Sequence, residues 1–132
     1  MLLAMNPVAR PITPLRTLVV EDDASSRNAL QAILRILGHQ VSTATTVGEA
    51  LHLLGARADE LPETLLLDLM LPDGNGMEVL QQIRKRALAI RVAVLSGADK
   101  PMLEAARALN PDAVFAKPVD APRLLAWLHT ER

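Results

Sequence analysis

The stretch Leu18-Val19-Val20-Glu21-Asp22-Asp23 sets the reading of the whole chain, because three apolar residues in a row give way at once to three acidic ones. A strand with one wet face alternates apolar and polar residues, so an unbroken apolar run suits a strand buried on both faces. The acidic triplet then stands where that strand ends. Beyond it Leu30, Ile33, Leu34 and Leu37 recur at helical spacing and stop at Gly38, a residue suited to the left-handed backbone that closes a helix. Asp23 occupies the position of that helix's N-cap.

The same strand-then-helix unit recurs along the chain. Val41 to Ala44 reads as a second strand, and Thr46 with Glu49 has capping-box spacing, opening a helix with Ala50, Leu51 and Leu54 inward. Leu65-Leu66-Leu67 is a third strand, and Asn75 with Glu78 offers a capped start for a helix reaching about Arg86. Val92 to Leu95 is a fourth, followed by a helix capped by Asp99 with Met102, Ala106 and Leu109 on one face. Ala113 to Ala116 is the fifth, and Asp120 with Pro122 opens a last helix carrying Ala121, Leu124, Leu125 and Leu128 inward. Repeated βα units with short connections predict an α/β, doubly wound (βα)5 fold: a parallel five-stranded sheet with right-handed crossovers and helices on both faces. The expected strand order is the flavodoxin-like 2-1-3-4-5, which sets the carboxyl ends of strands one and three side by side.

Composition narrows the chemistry. The 132 residues contain no cysteine, which excludes disulfides, thiolate metal sites and cysteine nucleophiles. With 14 basic and 15 acidic residues, overall charge gives no drive toward nucleic acid or an anionic membrane. Half the residues are apolar but only 2% are aromatic, so the core is aliphatic. Asn6, Pro7, Arg10, Pro11 and Pro14 interrupt the apolar start long before a signal core or membrane span of about 20 residues could form. The expectation is a cytoplasmic protein with a flexible arm over residues 1–15 and one domain over residues 16–132, leaving these residues no room for an attached output domain.

Four strand ends deliver reactive groups to one edge: Glu21-Asp22-Asp23, Asp68, Ser96-Gly97 and Lys117-Pro118. Converging carboxylates repel one another unless a cation sits among them, and an all-oxygen donor set suits Mg²⁺. A lysine ammonium and a serine hydroxyl beside it are donors of the kind that hold phosphoryl oxygens. Together these groups make a phosphoryl-transfer site in which Asp68 is the nucleophile.

Those segments, with Leu66-Leu67-Asp68-Leu69-Met70-Leu71-Pro72-Asp73-Gly74-Asn75-Gly76 and Val94-Leu95-Ser96-Gly97, resemble the receiver domain of bacterial two-component response regulators over residues 16 to 131. The resemblance implies that Asp68 is the phosphoacceptor, that Glu21 and Asp22 form the Mg²⁺ pair with Asp22 the direct ligand and Glu21 often acting through water, and that the Met70 backbone carbonyl completes the protein ligands. It implies that Ser96 is the switch hydroxyl, that Lys117 pairs with the phosphoryl group, and that the Lys117-Pro118 bond is cis. The donor would be a sensor histidine kinase or histidine phosphotransfer protein. The output would be a contact with a downstream protein partner, or a phosphorylation-dependent dimer, without direct nucleic-acid or membrane binding.

The pattern departs from the family at two places. Val114 stands where the family carries an aromatic ring that moves with the switch hydroxyl, and Phe115 should face the opposite side by strand alternation. A smaller shift of the Ser96 to Asp99 loop is expected instead. Met70 and Ala98, two after the acceptor and two after the switch residue, cannot orient a hydrolytic water, which implies a long-lived phosphoryl group. Asp73, Gly74, Asn75 and Gly76 read as turn and helix-start chemistry. His39, His52 and His129 lack metal-ligand spacing, and Trp127 packs by the last helix. Two other functions compete: an unphosphorylated interaction module of the same fold, and a Mg²⁺-dependent phosphatase with an aspartyl intermediate. The intact acidic pair, Asp68, Ser96 and Lys117 weigh against the first; Met70, where such a phosphatase carries a second Asp, weighs against the second.

Overall fold

The computed structural model of the chain describes residues 13–97 and 99–130. Most of the expected N-terminal arm, together with Ala98 and the last two positions, lies outside these residues. Five strands, β1 (Arg16–Val20), β2 (Gln40–Ala44), β3 (Thr64–Asp68), β4 (Arg91–Ser96) and β5 (Ala113–Ala116), pair in parallel in the order β2-β1-β3-β4-β5. The expected fold class and strand order are therefore the observed ones. Register places Val20 beside Leu67 and Asp68 beside Leu95, so the carboxyl ends of β1, β3 and β4 line up.

Among the described residues five helices cover the sheet: α1 (Ala24–Ile36), α2 (Val47–Leu53), α3 (Met77–Lys85), α4 (Lys100–Arg107) and α5 (Ala121–Leu128). Because successive strand residues point to opposite faces, the apolar runs split between two cores. Leu18, Val20, Leu65, Leu67, Val92 and Val94 pack toward α2, α3 and α4. Val19, Leu66, Ala93 and Leu95 pack toward α1 and α5 with Leu34, Leu124 and Leu128. Each buried aliphatic side chain of this size contributes roughly 1.5–3 kcal/mol relative to exposure. Leu15, just ahead of β1, packs against the second core and donates its N–H to His39.

Helix ends follow the sequence signals in most cases. Asp23, Asp99 and Asp120 accept hydrogen bonds from the N–H of Ser26, Met102 and Arg123 as N-caps. Gly38 has φ +91°; its N–H donates to Arg35 O, and the next residue's to Leu34 O, a two-bond close that only a left-handed residue permits. Two capping expectations need correction. Thr46 accepts from the Glu49 N–H, but the Glu49 carboxylate turns to Thr45, taking its N–H and hydroxyl at 3.2 and 2.6 Å. Asp73 supplies further capping at the start of α2, accepting from the Val47 and Gly48 N–H groups at 2.7 and 2.9 Å. The N-cap of α3 is Gly76, not Asn75, and no side chain caps it. Asn75 instead accepts from the Met77 N–H within a two-residue hairpin, Met70–Leu71 with Gly74–Asn75, that the sequence pattern did not announce. A short 3₁₀ turn at Ala58–Glu60 is a second such addition.

Candidate functional site

β1 and β3 end at adjacent positions, and each delivers a buried carboxylate to the same edge: Glu21 is 2% exposed and Asp68 5%. Lys117, which follows β5, reaches across to both. Its ammonium donates to Glu21 Oε1 and to Asp68 Oδ2, the latter at 3.0 Å. The peptide bond after Lys117 is cis, as the resemblance implied. The other Asp68 oxygen, Oδ1, accepts from the Met70 N–H at 3.0 Å, and Glu21 Oε2 accepts from the Asp23 N–H at 3.3 Å. Both carboxylates are thereby held in fixed orientations.

Asp22 is exposed, yet one of its oxygens lies with oxygens of Glu21 and Asp68 in a group no more than 4.8 Å across. Three carboxylates against the one ammonium of Lys117 leave an excess of two negative charges. Charges this close in partly buried surroundings repel by several kcal/mol, so the donor set fits a hard divalent cation. The electrostatics of the individual groups follow the same geometry. Burial, reinforced by Asp68, pushes Glu21 above its usual carboxylate range, although Lys117 works against that rise. Burial alone would depress Lys117, but hydrogen bonds to Glu21 and Asp68 outweigh it and raise the ammonium above its ordinary value.

The loop after Asp68 is shaped by a close approach. The Gly76 N–H donates to Leu69 O at 2.7 Å, and a Cβ at Gly76 would stand 2.2 Å from the Asp68 carbonyl oxygen. Only glycine fits beneath the strand end here. Asp73 belongs to the same loop, and the N–H groups of Gly48 and Val47 hold its carboxyl below the usual range. Nothing in the local pattern marks this contact, since the partners lie 25 and 26 residues apart.

Ser96 ends β4 at 1% exposure, and its carbonyl accepts the Lys117 N–H at 3.1 Å. Met70 is 58% exposed, so its side chain stands at the rim of the site. Val114 packs into the α2–α4 core and Phe115 into the α1–α5 core, as strand alternation requires; Phe115 meets Trp127 edge-on with ring centroids 6.3 Å apart. A cleft of about 550 Å³ opens beside Lys117, lined by Leu30, Ile33, Val119 and Ala121 between α1 and the start of α5.

Two histidines proved less ordinary than their spacing suggested. His39 is buried and its Nε2 lies 2.9 Å from Nε2 of His129, at the opposite edge of the sheet from the carboxylates. Sequence reasoning missed the pair because 90 residues separate its members.

Residues 17–129 match the family described as the response regulator receiver domain. Among curated proteins the chain is similar to the response regulator MprA of Mycolicibacterium vanbaalenii, 36% identical over 86 residues, covering 65% of this chain and 36% of that one. It is also similar to the sensory/regulatory protein RpfC of Xanthomonas campestris, 34% identical over 131 residues, covering 93% of this chain and 18% of that protein. The chain thus spans about a third or less of the length of these relatives. Among solved structures, a CheY-like receiver domain protein of Methanospirillum hungatei superposes with a TM-score of 0.79 at 28% identity, covering 88% of this chain and 91% of the other. The non-phosphorylated HemR receiver domain of Leptospira biflexa superposes with a TM-score of 0.75 at 29% identity, with the same coverage of 88% and 91%. Among the described residues no helix is long and apolar enough to cross a membrane.

Proposed function

The chain belongs to the response regulator receiver domain family, and on that premise we propose that Asp68 accepts a phosphoryl group from a phosphohistidine of a sensor kinase or phosphotransfer protein. The observation that carries the reading is the Lys117 ammonium bridging Glu21 and Asp68 beside the Asp22 carboxylate. An Asp68 carboxylate oxygen attacks phosphorus while the P–N bond of the donor breaks. The bonding pair leaves with the donor imidazole, and the product is an acyl phosphate. Lys117 already contacts Asp68 Oδ2 and moves little to hold a phosphoryl oxygen. The Met70 N–H fixes the rotation of the Asp68 carboxylate, and the Ser96 hydroxyl is the group that turns toward the added charge. Glu21, Asp22, Asp68 and the Met70 carbonyl would hold Mg²⁺, whose charge offsets that of the phosphoryl oxygens.

The cleft beside Lys117 gives the donor an apolar approach to the site. Residues 16–132 act in this reading as one receiver unit preceded by an arm, turning over no external substrate. The thioether of Met70, two residues after the acceptor, cannot donate a hydrogen bond to a hydrolytic water, which supports a long-lived acyl phosphate. Phosphorylation adds roughly −1.5 to −2 charge at the edge and biases the loop after Ser96 toward a second arrangement that a protein partner or second copy reads on α4, β5 and α5. Incubation with acetyl phosphate and Mg²⁺, followed by intact-mass analysis, tests the reading. One added phosphoryl group on the wild type and none on Asp68→Asn is expected; equal labelling of both proteins would contradict it.

A further inference from the structure

Between the two carboxylates that β1 and its loop contribute and the helix that follows lies one side chain with an unusual set of partners. Arg27, the fourth residue of α1, donates its backbone N–H to Asp23 O at 2.9 Å. Its Nη1 donates to Glu21 O and to Asp22 O, both at 3.1 Å. Three consecutive carbonyls, those of residues 21, 22 and 23, therefore all accept from this single residue. The same short segment carries two of the three carboxylates grouped at the sheet edge.

The choice of acceptor matters. A guanidinium that paired with the carboxylates themselves would neutralise the charge excess and compete with any cation there. Bonding the carbonyls instead fixes the peptide planes of residues 21 and 22 and leaves their side-chain oxygens directed to the site. Both bonds use one nitrogen, Nη1, so the contact does not call on the two-nitrogen fork of the guanidinium. We propose that Arg27 is a positioning residue for the cation: it holds the peptide planes from which Glu21 and Asp22 reach the site, and so sets affinity for Mg²⁺ without touching the ion. This inference rests on reading the carboxylate group as a Mg²⁺ site.

The test is calorimetric titration of the full chain with Mg²⁺, comparing wild type, Arg27→Met and Arg27→Lys. Removal of such an outer partner weakens metal binding by roughly 10–100-fold. Arg27→Met, which keeps the apolar stem and loses both donors, is expected to raise the Mg²⁺ Kd by at least about tenfold. Arg27→Lys, which again offers several N–H groups on one nitrogen, is expected to recover most of that loss. At Mg²⁺ concentrations that saturate each variant, acetyl phosphate labelling returns to the wild-type rate, a recovery that general damage to the loop would not give. An unchanged Kd in Arg27→Met overturns the inference while leaving the Mg²⁺ site intact; a wild type that binds no Mg²⁺ overturns the site and the inference together. Should Arg27→Met not fold, Arg27→Leu, which also lacks any donor, replaces it with the same expected loss, and an unchanged Kd there has the same meaning.

Discussion

At the carboxyl edge of the sheet three carboxylates face one ammonium, whereas at the amino edge Arg16, Arg91 and His39 each meet partners that satisfy them. Arg16 donates to Leu61 O at 2.9 Å and lies 3.6 Å from Glu63. Arg91 donates to the carbonyls of Trp127, Leu128 and Thr130 at the end of α5, with its guanidinium 4.2 Å from the Trp127 ring centroid. His39 accepts from the Leu15 N–H on one nitrogen and meets His129 on the other. The difference teaches where this fold keeps its reactivity. These groups at the amino edge close the ends of helices and strands; at the carboxyl edge Asp23, Asp73, Asp99 and Asp120 do the same for helix starts, while Glu21, Asp22 and Asp68 stay in electrostatic conflict.

Removing one group from each edge should expose that contrast. Lys117→Met leaves the Glu21 and Asp68 carboxylates buried with no cation between them, an imbalance that costs on the order of 3 kcal/mol in comparable buried pairs. Urea unfolding without added divalent cation is expected to show that loss, and a variant as stable as wild type would break the comparison. Arg91→Met removes three hydrogen bonds to carbonyls, two of them part-buried, and a ring contact, with an expected loss of about 1–2 kcal/mol. Its acetyl phosphate labelling should equal that of wild type. A labelling defect there would mean that the amino edge is not merely structural.

The smallest effect concerns pH. Burial lowers His39 below its ordinary value of 6.5, with the neighbouring His129 adding to the drop, and burial lowers His129 likewise. The geometry gives the reason. The Leu15 N–H occupies Nδ1 of His39, so the His39 proton sits on Nε2 and points at the bare Nε2 of His129. A second proton on either ring breaks one of these bonds. Because the folded state resists protons that the unfolded chain takes up, this contribution to stability is present above about 6.5 and is lost as pH falls from there through the lower folded values. Thermal unfolding between pH 7.5 and 5, given as approximate limits, should show the decline. His129→Gln keeps an acceptor for the His39 N–H but cannot titrate, and should shrink the decline by about half. An unchanged slope would show that the pair does not govern it.

The parts legible in the sequence were those set by local pattern. Buried strands announced themselves in Leu18-Val19-Val20 and Leu65-Leu66-Leu67, the left-handed helix end in Gly38, and the caps in Asp23, Asp99 and Asp120. The repeated βα unit predicts the parallel sheet, and the flavodoxin-like order taken for it brings Glu21, Asp22, Asp68 and Lys117 together. What stayed hidden depends on contacts between distant segments. Asp73 caps the start of α2 from 25 and 26 residues away, and Glu49 turns to Thr45 and not to its box. Gly76 is required by an approach to Asp68 that spacing does not reveal. The three-carbonyl grip of Arg27 and the His39–His129 pair likewise have no periodic signature. Local rules also miss Ala87, which adopts φ 51° after α3 where glycine would be expected.

The contrast between the edges meets its most direct test in mapping the phosphorylated position. After labelling with acetyl phosphate and Mg²⁺, borohydride reduction converts an aspartyl phosphate to homoserine, which peptide mass analysis can place in the chain. The account predicts homoserine at position 68 and nowhere else; phosphoryl label found instead on His39 or His129, at the opposite edge, would contradict it.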